Sequence, residues 1–233
     1  MAVSPRLVGA GLALVLATDA FLVYGARVSH PVSSADAVAR YRSDPGPADV
    51  TGPPRGVYLY DTTGWSRVSS LGVRRTYPGV TARIVRGHGC GWREEVPIFD
   101  EHVETYDHCG AAGTGFGTRL TYFFVPAVTS FACRAGSCAD EEHDVTATMT
   151  TSIDRGGSAT VGGVTEFCER RTITTILRGS NNGAAVRRLC VAESGLVLHE
   201  ERSVSIAVRS RFVGLVQYTE RATFSLRSLE PLT

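Results

Sequence analysis

Lysine is missing altogether: all 24 basic residues of this 233-residue chain are arginine. That excludes Schiff-base lysine chemistry, a phosphate-loop lysine, a Ser-x-x-Lys acylase and a kinase-type Lys–Glu pair. A charge excess of either sign is missing too, because 23 acidic residues leave a formal net charge of +1. A nucleic-acid partner normally calls for a basic excess, so none is expected. There is no Cys-x-x-Cys, no His-Glu-x-x-His and no Gly-x-Ser-x-Gly, which removes the common zinc and serine-hydrolase signatures. The run GAAGTGFGT (Gly110 to Thr118) has the glycine density of a dinucleotide loop, but it leads into the strand-like RLTYFFV. Without a following helix it lacks the phosphate site at a helix N-terminus. No cofactor and no catalytic residue are expected.

Long hydrophobic runs are confined to one place. Leu7 to Ala26 reads LVGAGLALVLATDAFLVYGA, twenty residues with Asp19 as the one charge and Arg6 before it. Twenty residues is the length of a helix that spans a bilayer. On the insertion scale its Leu, Val and Phe residues contribute roughly −3 to −5 kcal/mol against about +2.5 to +3.5 for Asp19. Two readings remain open. One is an uncleaved signal anchor, favoured because Phe21 to Tyr24 continues the apolar run. The other is a signal peptide cut after Thr18 and Ala20. Both carry the rest of the chain across the cell membrane, leaving residues 1–6 as a cytoplasmic tip and the C-terminal part extracytoplasmic.

Six cysteines, Cys90, Cys109, Cys133, Cys138, Cys168 and Cys190, all lie after that run. An even number there fits disulfides formed in an oxidising compartment. Fifteen pairings are open; nearest-neighbour pairing (Cys90–Cys109, Cys133–Cys138, Cys168–Cys190) is the expected one, since each closes a loop short enough for adjacent strands.

Residues 27–55 predict a short helix of about six to eight residues, capped by Ser34 or Asp36 and ending near Arg42. A stiff linker through Pro45, Pro47, Pro53 and Pro54 follows. The folded domain is expected over 56–233. There the chain reads as strand after strand, rich in Val, Ile, Thr, Tyr and Phe and broken by Gly, Pro or Asp. Val145, Ala147 and Met149 alternate with Thr146, Thr148 and Thr150; Ala222, Phe224 and Leu226 alternate with Thr223, Ser225 and Arg227. Period two with one polar face means antiparallel sheet. Gly156-Gly157, Asn182-Gly183 and Ser194-Gly195 are expected as hairpin turns. The fold class is mainly β: an antiparallel curved sheet or half-barrel with one short helix, preceded by an N-terminal transmembrane helix.

Two features bear on chemistry. Residues 55–93 hold seven arginines against Asp61 alone, and residues 94–107 hold six acidic groups and no arginine. Cross-strand charge matching accounts for this; an arginine face toward anionic headgroups is the alternative. His102-x-Glu104-x-x-Asp107-His108, with His88 upstream, offers ligand types for a first-row metal, but its spacing matches no metal motif. No metal is expected. Val57, Tyr58, Leu59 and Tyr60 are apolar on both faces, as in a strand that is either central in a sandwich or lines a cavity on one face and a helix on the other.

At GVYLYDTTGW (Gly56 to Trp65), HGCGW (His88 to Trp92) and the ending GLVLHEERSV…VQYTERATFSLRSLEP, the chain resembles a group of actinobacterial exported proteins. Its layout of anchor, short helix and long antiparallel run is similar to LolA- and LppX-like envelope lipid carriers. That resemblance implies a half-barrel whose concave side holds acyl chains, and it transfers no functional residue, as no lipobox cysteine is present. The expectation is a membrane-anchored, extracytoplasmic, non-catalytic protein binding a lipid or hydrophobic envelope molecule. Tyr58, Tyr60, Tyr122, Phe124 and Phe131 are the candidate lining residues, chosen by face and size. A structural or protein-interaction module at the cell surface is the alternative.

Overall fold

From Gly56 onward the β-branched and aromatic residues build strands, and the only helix of the described chain precedes them. The computed structural model describes residues 30–233 apart from 70–71, 90, 101, 109–113, 121–127, 135–136, 141–144 and 211–213; for 73, 114–120, 128–134, 137–140, 155 and 208–210 it describes the backbone alone. The elements are α1 (Ser34–Ser43), β1 (Gly56–Val68), β2 (Val73–Thr76), β3 (Val80–His88), β4 (Gly91–Phe99), β5 (His102–His108), β6 (Thr114–Leu120) and β7 (Val128–Arg134). They continue with β8 (Ser137–Asp140), β9 (Val145–Val161), β10 (Val164–Gly179), β11 (Asn181–Val191), β12 (Val197–Ser210) and β13 (Gly214–Leu226).

All thirteen strands form one sheet, in the order β13-β12-β11-β10-β9-β8-β7-β6-β5-β4-β3-β1-β2. The half-barrel expected from the sequence is present, and β13 also pairs with β1, from Tyr60↔Leu226 to Val68↔Tyr218, so the two margins of the curled sheet meet. β1 is long enough to serve three neighbours: its first half pairs with β3, its second half with β2, and β13 runs along the other side. Pairing at this seam covers one edge of β1 and one of β13, edges that otherwise invite aggregation, while among the described residues β9 pairs with β8 only over Val145–Thr148.

The alternation holds where it was read. Val145 and Ala147 are buried while Thr146 and Thr148 are exposed; Ala222, Phe224 and Leu226 are buried between more open neighbours. In β1 the two apolar faces separate, one under the helix and the other into packed core. Val57 packs with Ala82 and Ile84 under Ala37 of α1, with Leu59, Val38 and Tyr41 around them. Tyr58 and Tyr60 turn the other way, into the main core with Val96, Ile98 and Phe224.

Three local readings differ from the structure. The helix cap is Ser33: its hydroxyl accepts from the Asp36 backbone N–H at 3.1 Å, and the Asp36 carboxylate accepts from the Ser33 backbone N–H at 3.3 Å. This capping box satisfies two otherwise open donors and starts a ten-residue helix, longer than expected. The proline segment does not stand off as a spacer. Arg86 donates to Asp44, and Pro53 and Gly52 lie against the Gly195 turn and Trp92 respectively. Among the expected turns, Gly195 does sit in one, between β11 and β12. Asn182-Gly183 instead lies inside β11, where a Cβ on Gly183 would come within 2.1 Å of the Ser205 carbonyl oxygen. Gly156-Gly157 lies inside β9, whose hairpin turn is Gly162-Gly163, both at positive φ.

Among the described residues no helix is long and apolar enough to cross a membrane. The expected anchor at 7–26 lies outside the described residues.

Candidate functional site

The register places an ordered set of side chains on the concave face. Ile153 stands opposite Arg171, Arg171 opposite Leu189, Leu189 opposite Glu200, and Glu200 opposite Phe224. The next row is Thr151, Ile173, Arg187, Arg202 and Ala222. A third runs Met149, Thr175, Ala185, Val204, Glu220 and Ser66. In these rows Glu200 meets Arg83 of β3, and Arg202 and Arg187 meet Glu104 and Tyr106 of β5, which identifies the interior.

What fills much of that interior is charge. Arg83 of β3 donates to Glu94 of β4 at 2.7 Å and to Glu200 of β12 at 2.6 Å. Glu200 also accepts a forked pair from Arg187 at 2.7 and 3.0 Å and one bond from Arg202 at 3.2 Å. Arg202 reaches both oxygens of Glu104 at 2.6 and 2.8 Å and Glu220 at 3.3 Å. Tyr106 donates to Glu104 and Tyr218 to Glu220. Aromatic faces cover the cations: Arg83 lies over Tyr60 at 4.4 Å, Arg187 over Tyr106 at 4.1 Å, and Phe224 is flanked by Arg83 and Arg202. Arg83 and Glu200 are both fully buried.

Ionisation follows from this geometry. Burial alone would push the Glu200 carboxyl up, but Arg187, Arg202 and Arg83 together outweigh it and hold it well below the usual carboxylate range. Glu104 behaves likewise: burial opposes ionisation, and Arg202 and the His102 hydrogen bond reverse it. Tyr60 is the converse case, its hydroxyl pushed far up by burial while it donates to the Val197 carbonyl. For both glutamates the folded value lies below the unfolded one, so their stabilisation is complete above the unfolded value of about 4.3 and is lost as pH falls toward the folded one. Denaturant midpoints are therefore expected to be flat from pH 7 to 5 and to fall steeply below about pH 4. A midpoint unchanged between pH 7 and pH 3 would contradict the network.

The metal-like run divides between the two faces. His102 and Glu104 point inward, 3.0 Å apart, and with Glu220 their ligand atoms lie within 4.8 Å of one another. That triad already holds a cation, because Arg202 sits on both carboxylates. Asp107 turns outward, takes two bonds from Arg93, and has His88 3.7 Å away. His108 stacks on Trp92 with ring centroids 3.7 Å apart.

The arginine-rich and acidic stretches pair with each other across β3, β4 and β5: Arg83 with Glu94, Arg86 with Glu95, Arg93 with Asp107. Arg75 is buried, leaving Arg67 and Arg74 exposed, the latter stacked over Trp65. Charge matching is thus what this patterning encodes.

Of the candidate lining residues, Tyr58 and Tyr60 are brought together, packed almost out of contact with solvent. Tyr58 donates to the Pro54 carbonyl, and burial raises its hydroxyl to about 12. Phe131 stands opposite Phe116 in the β6–β7 register. Tyr122 and Phe124 lie outside the described residues. The concave face is open elsewhere: along β9 the inward positions are buried at Val145 and Ala147, then exposed at Thr151 and Ile153, then buried again at Gly157 and Val161. Ile153 is 56% exposed. Around it lie Ile173 and the half-buried Met149, Arg171, Thr175 and Arg187. Sequence reasoning missed this stretch because it sought aromatics, and these positions are Thr, Ile, Met and Arg. A groove of about 520 Å³ across β9 to β13 is lined by residues that include Arg170, Arg171, Arg188, Leu189, His199 and Glu201.

Of the expected disulfides, Cys168–Cys190 is formed, joining β10 to β11 beside an irregularity in each strand's pairing. Cys133 lies directly opposite Cys138 in the β7–β8 register. Cys90 and Cys109 lie outside the described residues.

Together these features define a curled antiparallel half-barrel with an ionic core and one unfilled stretch of concave face. No family model matches the sequence, and no curated protein matches it. Among solved structures the chain is similar to a DUF1329 family protein from Desulfovibrio piger, at a TM-score of 0.27 and 9% identity over 77% of this chain and 88% of that one. A likeness at that level carries no argument about what either protein does.

Proposed function

We propose that this chain is a non-catalytic, extracytoplasmic protein, tethered to the cell membrane through residues 7–26, that holds a lipid or other hydrophobic envelope molecule on its concave face. The supporting observation is the opening around Ile153. Ile153 is a large aliphatic side chain, 56% exposed on the inward register of β9 beyond the Val145–Thr148 stretch paired with β8, and so is apolar surface that folding has left uncovered. Met149, Ile173 and Leu177 extend it along β9 and β10. In the ionic cluster beside it, each described carboxylate is engaged by arginine. The full chain, purified in a mild detergent and then exchanged out of it, is expected to release bound lipid in native mass spectrometry. Ile153→Asp is expected to lose that mass without losing its fold. Wild-type protein free of lipid and unable to take up a twelve-carbon amphiphile would overturn the reading. It would select a surface interaction module instead, supported by the groove at Arg170, Arg188 and His199.

A further inference from the structure

The open stretch is not uniformly apolar. Arg171 lies directly opposite Ile153, and Arg187 lies opposite Ile173, which makes the two arginines diagonal neighbours on the concave face. Arg171 is 42% exposed and uses only its Nε, on Glu169, leaving the rest of its guanidinium without a partner among the described residues. Arg187 is held by Glu200 through Nε and one terminal nitrogen, so its second terminal nitrogen remains. From the facing strand β5 comes His108, two residues along from Tyr106, whose ring Arg187 covers at 4.1 Å. Its Nε2 is buried and has no hydrogen-bond partner.

Resting on the carrier reading above, we infer that Arg171, Arg187 and His108 form a subsite for the anionic head, carboxylate or phosphate, of an amphiphile whose apolar part lies on Met149, Ile153 and Ile173. Planar guanidinium forks match the geometry of both oxyanions, and charge-assisted bonds to them are the strong class. Burial first, and then Arg187 and Arg171 against the opposing pull of Glu94 and Asp107, hold His108 below the usual imidazole range. Thr114, opposite His108 in the β5–β6 register, brings no charge. An anion placed among these groups relieves that repulsion and gives the orphaned Nε2 a partner.

The test compares three probes on the full chain by calorimetry: dodecyl phosphate, dodecyl maltoside and inorganic phosphate. Dodecyl phosphate is expected to bind at least about tenfold more tightly than the maltoside, and Arg171→Gln to remove most of that difference while leaving maltoside binding unchanged. Equal affinity for the two amphiphiles overturns the subsite and leaves the carrier reading standing. Binding of inorganic phosphate with neither amphiphile bound overturns the carrier reading and keeps the oxyanion chemistry, with free phosphate as its source. Binding of none of the three overturns both.

Discussion

Glu200→Ala is expected to cost about 3–5 kcal/mol of folding free energy, most of the margin by which a domain of this kind is stable. The reason is asymmetry. Glu200 is the common counter-ion of Arg83, Arg187 and Arg202, all of them in its first layer of contacts. Transferring such charges from water is expensive, and the ion pairs only compensate that expense. Removing the carboxylate leaves three guanidiniums facing one another in a site that water does not reach. Glu200→Gln keeps the shape and one acceptor but still removes the charge, so it is expected to recover only part of the loss. The control lies one residue away. Glu201 points to the convex face with its side chain 55% exposed, 3.8 Å from His199, and Glu201→Ala is expected to change stability by no more than about 0.5 kcal/mol. Urea denaturation of the three variants settles the matter. Equal effects at 200 and 201 would mean that the network stabilises nothing.

That contrast shows what the sequence could and could not disclose. In VLHEERSV (Val197 to Val204), Glu200 and Arg202 fall in phase with Leu198 and Val204, while His199 and Glu201 fall out of phase. Phase is legible from one strand, and charge in phase with apolar residues is the signal that the ionic interior left. Its partners are not legible. Arg83 is 117 residues from Glu200, and Glu104 is 98 from Arg202. Only closure of the sheet brings them together, so a buried network and a solvated charged strand look alike beforehand. The local pairing of Arg86 with Glu95 and Arg93 with Asp107 was legible, because adjacent strands inherit it from a short hairpin. The two faces of Val57 to Tyr60 were legible for the same reason, since one strand carries the whole pattern. Asn182-Gly183 was misread because a glycine demanded by close approach to a neighbouring carbonyl looks the same as one demanded by a turn. The open stretch around Ile153 was hidden because a β-branched residue in a strand reads as core, whether or not anything covers it.

Replacing Cys168 and Cys190 together by alanine is expected to destabilise the protein by about 3 kcal/mol in the chain-entropy model. The bridge spans 22 residues, including the whole length from mid-β10 through the β10–β11 turn. Beside it each strand shifts register against its outer neighbour, β10 against β9 between Cys168 and Arg170 and β11 against β12 after Cys190, while the β10–β11 ladder itself runs regularly to Glu169↔Val191. The outer ladders are irregular there, so the covalent link reinforces the β10–β11 ladder at a section held less well from either side. Packing reinforces it, since Gly157 of β9 comes so near that an added Cβ would stand 2.9 Å from the Cys168 sulfur. For a domain of this size, about 3 kcal/mol corresponds to a fall of about 6–12 °C in Tm. The double variant separates this bridge from the other cysteines in a way that a reductant cannot. Because β10 and β11 also carry Arg171 and Arg187, loosening them is expected to weaken dodecyl phosphate binding more than maltoside binding at a temperature where the variant is still folded. A double variant with unchanged Tm and an unchanged preference for the phosphate would show that the bridge neither stabilises the sheet nor holds the two arginines in register.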